Sequence, residues 1–315
     1  MFALRGLAVS LSVFVVLYSL ASALVAFTWK GIQSRLKPQR MCSVADVLYG
    51  IRMLPIGMAI ATTAVFVVPS FLILEPRTID EPLGGIPLIL GLCGVILLVL
   101  GGANAGVAIR RALRTISDWM LGAQSVRTSA DFPVLRISRE APRMTAVGIL
   151  RPRILVSGSA EFLLDERELQ TALNHEIAHV RRRDNLKKLL LRLVAFPGMQ
   201  RLEDAWLNAT EMAADDAAVS SAGEALDLAA ALIKLSYLAP AEHPAELAMS
   251  LLRSPASTIN DRVERLIHWT REPHLERRRN AWYALCAGAA LVATLAVTYG
   301  FLLVQVHTAT EWLVR

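Results

Sequence analysis

The chain has 315 residues, a formal net charge of +6 and 54% apolar residues. Its positive mean hydropathy is unusual for a soluble protein. The positive charge does not indicate a nucleic-acid-binding protein, because the basic residues gather beside long apolar stretches and no nucleic-acid-binding motif accompanies them.

Four long uncharged stretches account for the apolar excess, and each exceeds the roughly twenty residues that cross a bilayer core. They are Gly6 to Thr28, Met53 to Leu74, Gly84 to Ile109 and Ala281 to Val306. They predict a multi-pass α-helical membrane protein with four transmembrane helices, three of them within residues 1–109. The first stretch has an alternative interpretation as a cleaved signal peptide, with Ala21-Ser22-Ala23 as the processing site. This is disfavoured because the apolar run continues past that site.

Charges between the stretches predict the orientation. The loop between the first two spans is basic, the loop between the second and third is acidic, and arginines flank both ends of the segment 110–280. By the positive-inside rule, the basic loop and the segment 110–280 are cytoplasmic. The fourth span and a short external tail then occupy residues 281–315.

The segment 110–280 is long enough for one compact domain. Its first part predicts strands over Pro133 to Ile137, Thr145 to Leu150 and Arg153 to Val156. The rest is mainly helical, so an α+β domain is expected. One helix begins at an Asp165 and Glu168 capping box, and its apolar periodicity predicts that it continues to Phe196.

That helix carries the run His175-Glu176-Ile177-Ala178-His179, an HExxH motif. On an α-helix the two histidines are separated by about 40° in azimuth and about 6 Å along the axis, so both can bind one zinc ion. Glu176 lies about 100° round from His175, where it can hold a water molecule as a general base. The alternative is two histidines and a glutamate on the wet side of an amphipathic helix.

A catalytic zinc ion needs a third protein ligand. A metzincin would carry a histidine six residues after His179, but that position is Asn185, so a carboxylate from another helix is expected. Glu211 and Asp215 lie one turn apart on a later predicted helix. We expect Glu211 to bind the metal, one zinc ion per chain, and Asp215 to accept a hydrogen bond from a ligating imidazole.

Two further features leave their roles open. Asp184 follows three arginines and either pairs with them or caps a neighbouring helix. Gly102 and Gly106 form a small-xxx-small pair in the third span, which indicates helix packing.

The HEIAHVRRRD run, residues 175–184, and the EMAAD run, residues 211–215, together resemble the BlaR/MecR-type membrane zinc metallopeptidases. The resemblance implies a bacterial cytoplasmic membrane protein whose gluzincin domain lies between its third and fourth spans. Those proteins carry an external penicillin-binding domain after the fourth span, whereas only about ten residues follow here, so antibiotic sensing of that kind is not expected. Arg262 loosely matches an arginine of the HtpX and CAAX-protease group, and this resemblance makes it a candidate substrate-binding or oxyanion-stabilising residue.

The function expected from these features is zinc-dependent endoproteolysis at the cytoplasmic face. By resemblance, the substrate is a transcriptional repressor or the chain itself, aligned on an edge strand near Ala146 to Leu150. The partners are then a cytoplasmic protein and the lipid bilayer, with a homodimer possible and no direct nucleic-acid contact. The alternatives are a membrane quality-control peptidase and a non-catalytic membrane transducer.

Overall fold

A computed structural model describes most of the chain, and it divides into two compact units. The described residues are 2–33, 41–76, 84–126, 132–137, 144–194, 196–237, 249–250, 256–270, 294 and 297–312. The first unit comprises Met1–Phe27, Met53–Leu100 and Glu272–Arg315, and the second comprises Thr28–Arg52 and Gly101–Arg271.

Long helices dominate the first part of the chain: α1 (Phe2–Gln33), α2 (Met41–Thr62), α3 (Val68–Leu74) and α4 (Gly85–Trp119). Within the described ranges, three stretches are long and apolar enough to cross a membrane, namely Phe2–Trp29, Val44–Leu74 and Gly85–Trp119. The prediction of three long apolar helices in this region is confirmed, and by length and composition each could cross a membrane. The predicted fourth span lies largely outside the described residues, although residues 297–312 form a helix, α11.

A π-helical turn, Thr63–Val67, joins α2 to α3. Pro69 explains it, because a proline has no N–H to donate to the carbonyl four residues earlier and its ring clashes with that carbonyl. That carbonyl belongs to Val65, and it accepts a hydrogen bond of 2.8 Å from the hydroxyl of Tyr299 on α11. The group left unpaired by the proline is therefore satisfied by another helix of the same unit.

The second unit contains a five-stranded sheet in the order β1-β2-β4-β3-β5. The strands are β1 (Gln124–Val126), β2 (Val134–Ile137), β3 (Met144–Val147), β4 (Arg153–Ser157) and β5 (Met249–Ser250). Only the β2–β4 pair is parallel. The predicted strand through Leu150 ends earlier because Gly148 turns the chain at a φ of 88°, where an added Cβ would lie 2.7 Å from the Arg151 carbonyl oxygen.

Six helices complete this unit: α5 (Gly158–Leu163), α6 (Glu166–Arg181), α7 (Asp184–Leu193), α8 (Gln200–Ala218), α9 (Ala222–Ser236) and α10 (Ala256–Ile267). The Asp165 and Glu168 capping box at the start of α6 is present as predicted. Leu173 and Ile177 on α6 pack into a core with Leu228 and Leu232 of α9 and Leu266 of α10. The buried stripe of α6 thus fixes the helix against its neighbours.

The single helix predicted from Asp165 to Phe196 is wrong, because the chain breaks it after Arg181. Arg183 has a φ of 55° in the left-handed region, which an arginine adopts only at a cost of about 1–2 kcal/mol. A new helix, α7, then begins at Asp184. Apolar periodicity continues across the break, so it did not reveal the change of direction.

The packing predicted for Gly102 and Gly106 is not seen between described residues. Among the described residues, nothing lies within 4 Å of a Cβ added at either glycine. The preceding residue, Gly101, makes the close approach instead, and a Cβ there would overlap the carbonyl oxygen of Leu193 at the end of α7. Ala105, Ala108 and Ala112 continue the buried face of α4.

We predict opposite effects for two adjacent substitutions in α4. Gly101→Ala lowers the thermal unfolding temperature of the detergent-solubilised protein, because the added methyl forces α4 and α7 apart at a cost of about 1–3 kcal/mol. Gly102→Ala leaves that temperature unchanged or raises it slightly, since alanine is the better helix former. Equal effects of the two variants would contradict the packing described here.

Candidate metal centre

The two histidines of the HExxH motif lie on α6 and are buried, with relative exposures of 0% for His175 and 1% for His179. Their Nε2 atoms are 3.0 Å apart. The α-helix sets this arrangement, because residues four apart share a face. Both imidazoles therefore present one ring nitrogen to the same small volume.

A carboxylate lies against the other nitrogen of each ring. The Nδ1 atom of His175 is 2.9 Å from Oδ1 of Asp215, and the Nδ1 atom of His179 is 2.9 Å from Oδ2 of Asp184. In a neutral imidazole, a carboxylate at Nδ1 favours a proton on that nitrogen, so the lone pair that can bind a metal ion is the one on Nε2. The carboxylates thus set the tautomers from which Nε2 can bind a cation.

Asp184 reaches His179 because of the helix break at Arg183. On a continuous helix the two residues would be about 140° apart in azimuth and could not face each other. The sequence predicts that Asp184 pairs with the arginines or caps a neighbouring helix. Its carboxylate does lie 3.4 Å from Nε of Arg182, but contact with His179 was not predicted. The sequence feature that could have indicated this contact is an acidic residue immediately after a run of basic residues.

Glu211, on α8, places its carboxylate beside both Nε2 atoms. Oε2 lies 3.7 Å from Nε2 of His175, and Oε1 lies 3.7 Å from Nε2 of His179. One ligand atom from each of the three residues lies within 4.8 Å of the others, so together they could hold a metal ion. Ala213 and Ala214 are fully buried on the same helix, and such small side chains allow close packing of α8.

Arg262, on α10, is 1% exposed and connects the two acidic residues of α8. Its Nε and Nη2 atoms donate to the two oxygens of Asp215 at 2.7 and 2.6 Å, while Nη1 donates to Oε2 of Glu211 at 3.0 Å. The bidentate geometry is typical of a strong arginine–carboxylate pair. Arg262, which the sequence suggests as a substrate or oxyanion residue, thus contacts the carboxylates of Glu211 and Asp215.

These contacts determine the charge of the acidic residues. Burial alone raises a carboxyl pKa, but His175 and the Arg262 guanidinium outweigh it at Glu211 and hold its pKa below the usual range. At Asp215, Arg262 and His175 overcome burial and hold the pKa well below the usual range. Both groups are therefore carboxylates at neutral pH.

The same carboxylates keep a proton on His175. Burial lowers its pKa, but Asp215 and Glu211 together raise it to about 9. The metal-free ring is therefore cationic at neutral pH, and a metal ion would have to displace the proton on Nε2.

Glu176 is fully buried beside the histidines. Its Oε2 atom accepts a hydrogen bond of 2.7 Å from the backbone N–H of Ala146 in β3. Its other oxygen, Oε1, is buried without a hydrogen-bond partner in the described part of the chain. Burial raises the pKa of this carboxyl against the opposing effect of the two histidines. The result is a carboxyl poised to take and release a proton, with one oxygen available.

Strand β3 does not offer a free edge near Ala146. Thr145 pairs with Ser250 and Ala146 with Met249 of β5. Asn185 donates from Nδ2 to the carbonyl oxygens of Ala146 and Gly148 at 3.0 and 3.1 Å. The predicted edge strand is therefore covered at these positions by the chain's own β5, a two-residue strand too short to be recognised in the sequence.

No curated protein matches the chain. The sequence model of the family described as BlaR1 peptidase M56 matches residues 92–266. That range includes α6, α8 and Arg262, and the family membership together with the three apolar helices indicates a membrane-associated metallopeptidase. Since the match covers more than half of its length, the chain belongs to the BlaR1 peptidase M56 family.

Proposed function

We propose that the chain is a zinc endopeptidase that cleaves a cytoplasmic protein in regulatory proteolysis, with His175, His179 and Glu211 as ligands and Glu176 as the general base. The observation that carries the proposal is the burial of a partner-free Glu176 oxygen beside the three converging ligand atoms. The cytoplasmic placement rests on the basic loop between the first two spans and on the arginines at both ends of the segment 110–280.

The donor set suits zinc. Two imidazoles and one carboxylate are typical of catalytic zinc sites, which keep a fourth position open for water or substrate. Asp184 and Asp215 orient the imidazoles through their Nδ1 atoms. Arg262 limits the repulsion between Glu211 and Asp215. When bound, zinc would polarise the attacking water and the scissile carbonyl.

Glu176 would move the protons of the reaction. The Ala146 amide holds one oxygen of its carboxylate, so the other can accept a proton from the attacking water. The same carboxyl would then deliver that proton to the nitrogen of the leaving amine as the peptide bond breaks. A pKa raised by burial favours both steps, because the group must gain and lose a proton near neutral pH.

Arg262 acts in this mechanism through Glu211 and Asp215, not on the substrate. All three of its guanidinium nitrogens donate to those carboxylates. Its removal would leave two buried carboxylates without their compensating charge. We therefore assign Arg262 as a positioning residue.

The pairing of β5 with β3 favours the chain itself as one substrate. Met249 and Ser250 lie along β3, whose Ala146 amide binds the catalytic carboxylate. A separate protein substrate would take this position by strand addition after β5 leaves it. Self-cleavage and cleavage of a repressor would then use the same alignment.

Quality-control proteolysis is the alternative function. Comparing newly formed N-termini across the proteome between wild type and Glu176→Gln distinguishes the two. Regulatory proteolysis gives one dominant cleaved protein, besides any cleavage of the chain itself. Many unrelated membrane proteins among the cleaved products would favour quality control.

Glu176→Gln is expected to lower the rate of peptide cleavage by about 10²–10⁴-fold, because glutamine cannot accept the water proton. Bound zinc should remain, since Glu176 is not one of the ligands. Glu166→Gln is the matched control, an exposed glutamate in the first turn of the same helix, and it should cleave at the wild-type rate. Undiminished cleavage by Glu176→Gln would rule out the proposed chemistry.

Asp184→Asn is expected to weaken zinc binding by about 10–100-fold, because His179 loses the carboxylate that fixes its tautomer. Competition with a fluorescent chelator measures the affinity. The matched control is Asp204→Asn, at an exposed position on α8, which should bind zinc as wild type does. Equal affinities for both variants would show that Asp184 does not prepare His179.

Zinc affinity should rise with pH up to about 9, because the proton on His175 competes with the metal. Below that pH, each unit of decrease should weaken binding by up to about tenfold from this residue alone. Zinc titrations in buffers of different ionisation enthalpy would measure the released proton. The assignment fails if no proton is released near neutral pH.

A further inference from the structure

A second group of potential ligands lies in the first unit, apart from the HExxH helix. Glu75 follows the last residue of α3, and His307 and Glu311 lie one turn apart on α11. One ligand atom from each of these three residues lies within 4.8 Å of the others. The three residues come from segments more than 200 positions apart in the sequence.

The distances favour a shared ion over direct hydrogen bonds. Nε2 of His307 lies 3.8 Å from Oε2 of Glu75 and 3.5 Å from Oε1 of Glu311. An N–H···O hydrogen bond spans about 2.7–3.2 Å. Ligand atoms about 2.1 Å from a tetrahedral ion are separated by about 3.4 Å.

The HExxH site shows nearly the same spacing. There, Oε2 and Oε1 of Glu211 lie 3.7 Å from the Nε2 atoms of His175 and His179 respectively. In both groups, the distance between imidazole nitrogen and carboxylate oxygen is slightly too long for a hydrogen bond. It is close to the distance between two ligand atoms of one tetrahedral zinc ion.

The charge and burial of these residues also favour a bound cation. The Glu75 side chain is only 7% exposed, and Nη1 of Arg5 on α1 lies 3.0 Å from its Oε1. That ion pair holds the carboxylate with Oε2 towards His307. Arg5 pairs with Glu75, and the formal charges of Arg5, Glu75 and Glu311 sum to −1, which a cation would balance. The His307 side chain is 15% exposed and that of Glu311 is 43% exposed, so an ion could enter from solvent.

We propose that Glu75, His307 and Glu311 form a second metal-binding site, for a divalent transition-metal ion of the zinc type. One imidazole and two carboxylates suit such an ion, whereas calcium and magnesium prefer sites made of oxygen atoms alone. A bound ion connects the end of α3 to α11. Because Glu75 also pairs with Arg5, the ion connects both segments to α1 as well. The partial exposure of Glu311 makes the site exchangeable with zinc in the medium.

Zinc stoichiometry of the full-length chain tests this site. The detergent-solubilised protein, freed of any affinity tag, is stripped with a chelator, reloaded with zinc, passed through a desalting column and analysed for zinc per chain. Wild type should retain two zinc ions and His307→Ala one. Thr308→Ala is the matched control on the next residue of α11, and it should retain two.

His179→Ala reports on the HExxH site separately and should also retain one zinc, bound at Glu75, His307 and Glu311. Loss of both ions in His179→Ala, or the same zinc content in His307→Ala and wild type, overturns the proposal. If His307→Ala does not fold, Glu311→Gln replaces it, with zinc affinity at the second site lowered at least about tenfold. A simple histidine–glutamate ion pair predicts a lower unfolding temperature for His307→Ala with no change in zinc content, which also overturns the proposal.

Discussion

The site depends on the pairing of each motif histidine with a buried carboxylate. Asp215 lies at Nδ1 of His175 and Asp184 at Nδ1 of His179, so both Nε2 atoms are directed at one point. Burying these acids has a large desolvation cost unless positive charge compensates them. Arg262 supplies part of that compensation by binding Asp215 and Glu211 together. A divalent ion between the Nε2 atoms and Glu211 would supply the rest.

The fold meets this requirement by bringing three helices to one place. Helix α6 carries the two histidines and Glu176, α8 carries Glu211 and Asp215, and α10 carries Arg262. The buried leucines of α6, α9 and α10 hold these elements in a common core. Strand β3 adds the Ala146 amide that orients Glu176. The site is therefore built mostly from rigid secondary structure, which keeps its ligand atoms close to their binding positions.

Residues related by helical spacing could be identified from the sequence alone. The pairs His175 with His179 and Glu211 with Asp215 follow from the geometry of one turn, and the capping box marks where α6 begins. Asp184 could not be assigned, because its contact depends on a left-handed Arg183 that no residue preference predicts. Strand β5 has only two residues, and the role of Gly101 depends on how closely α7 approaches α4. The Glu75, His307 and Glu311 group joins distant segments, so no local pattern reveals it.

In the proposed metal centre, His175, His179 and Glu211 bind zinc through nitrogen and oxygen atoms. X-ray absorption at the zinc edge tests it most directly, on His307→Ala protein loaded with one equivalent of zinc. We expect two imidazole nitrogens at about 2.0–2.1 Å and carboxylate or water oxygens at about 2.0–2.2 Å, with imidazole scattering reduced by half in His179→Ala. Zinc coordinated by sulfur, or an imidazole signal that His179→Ala leaves unchanged, would contradict it.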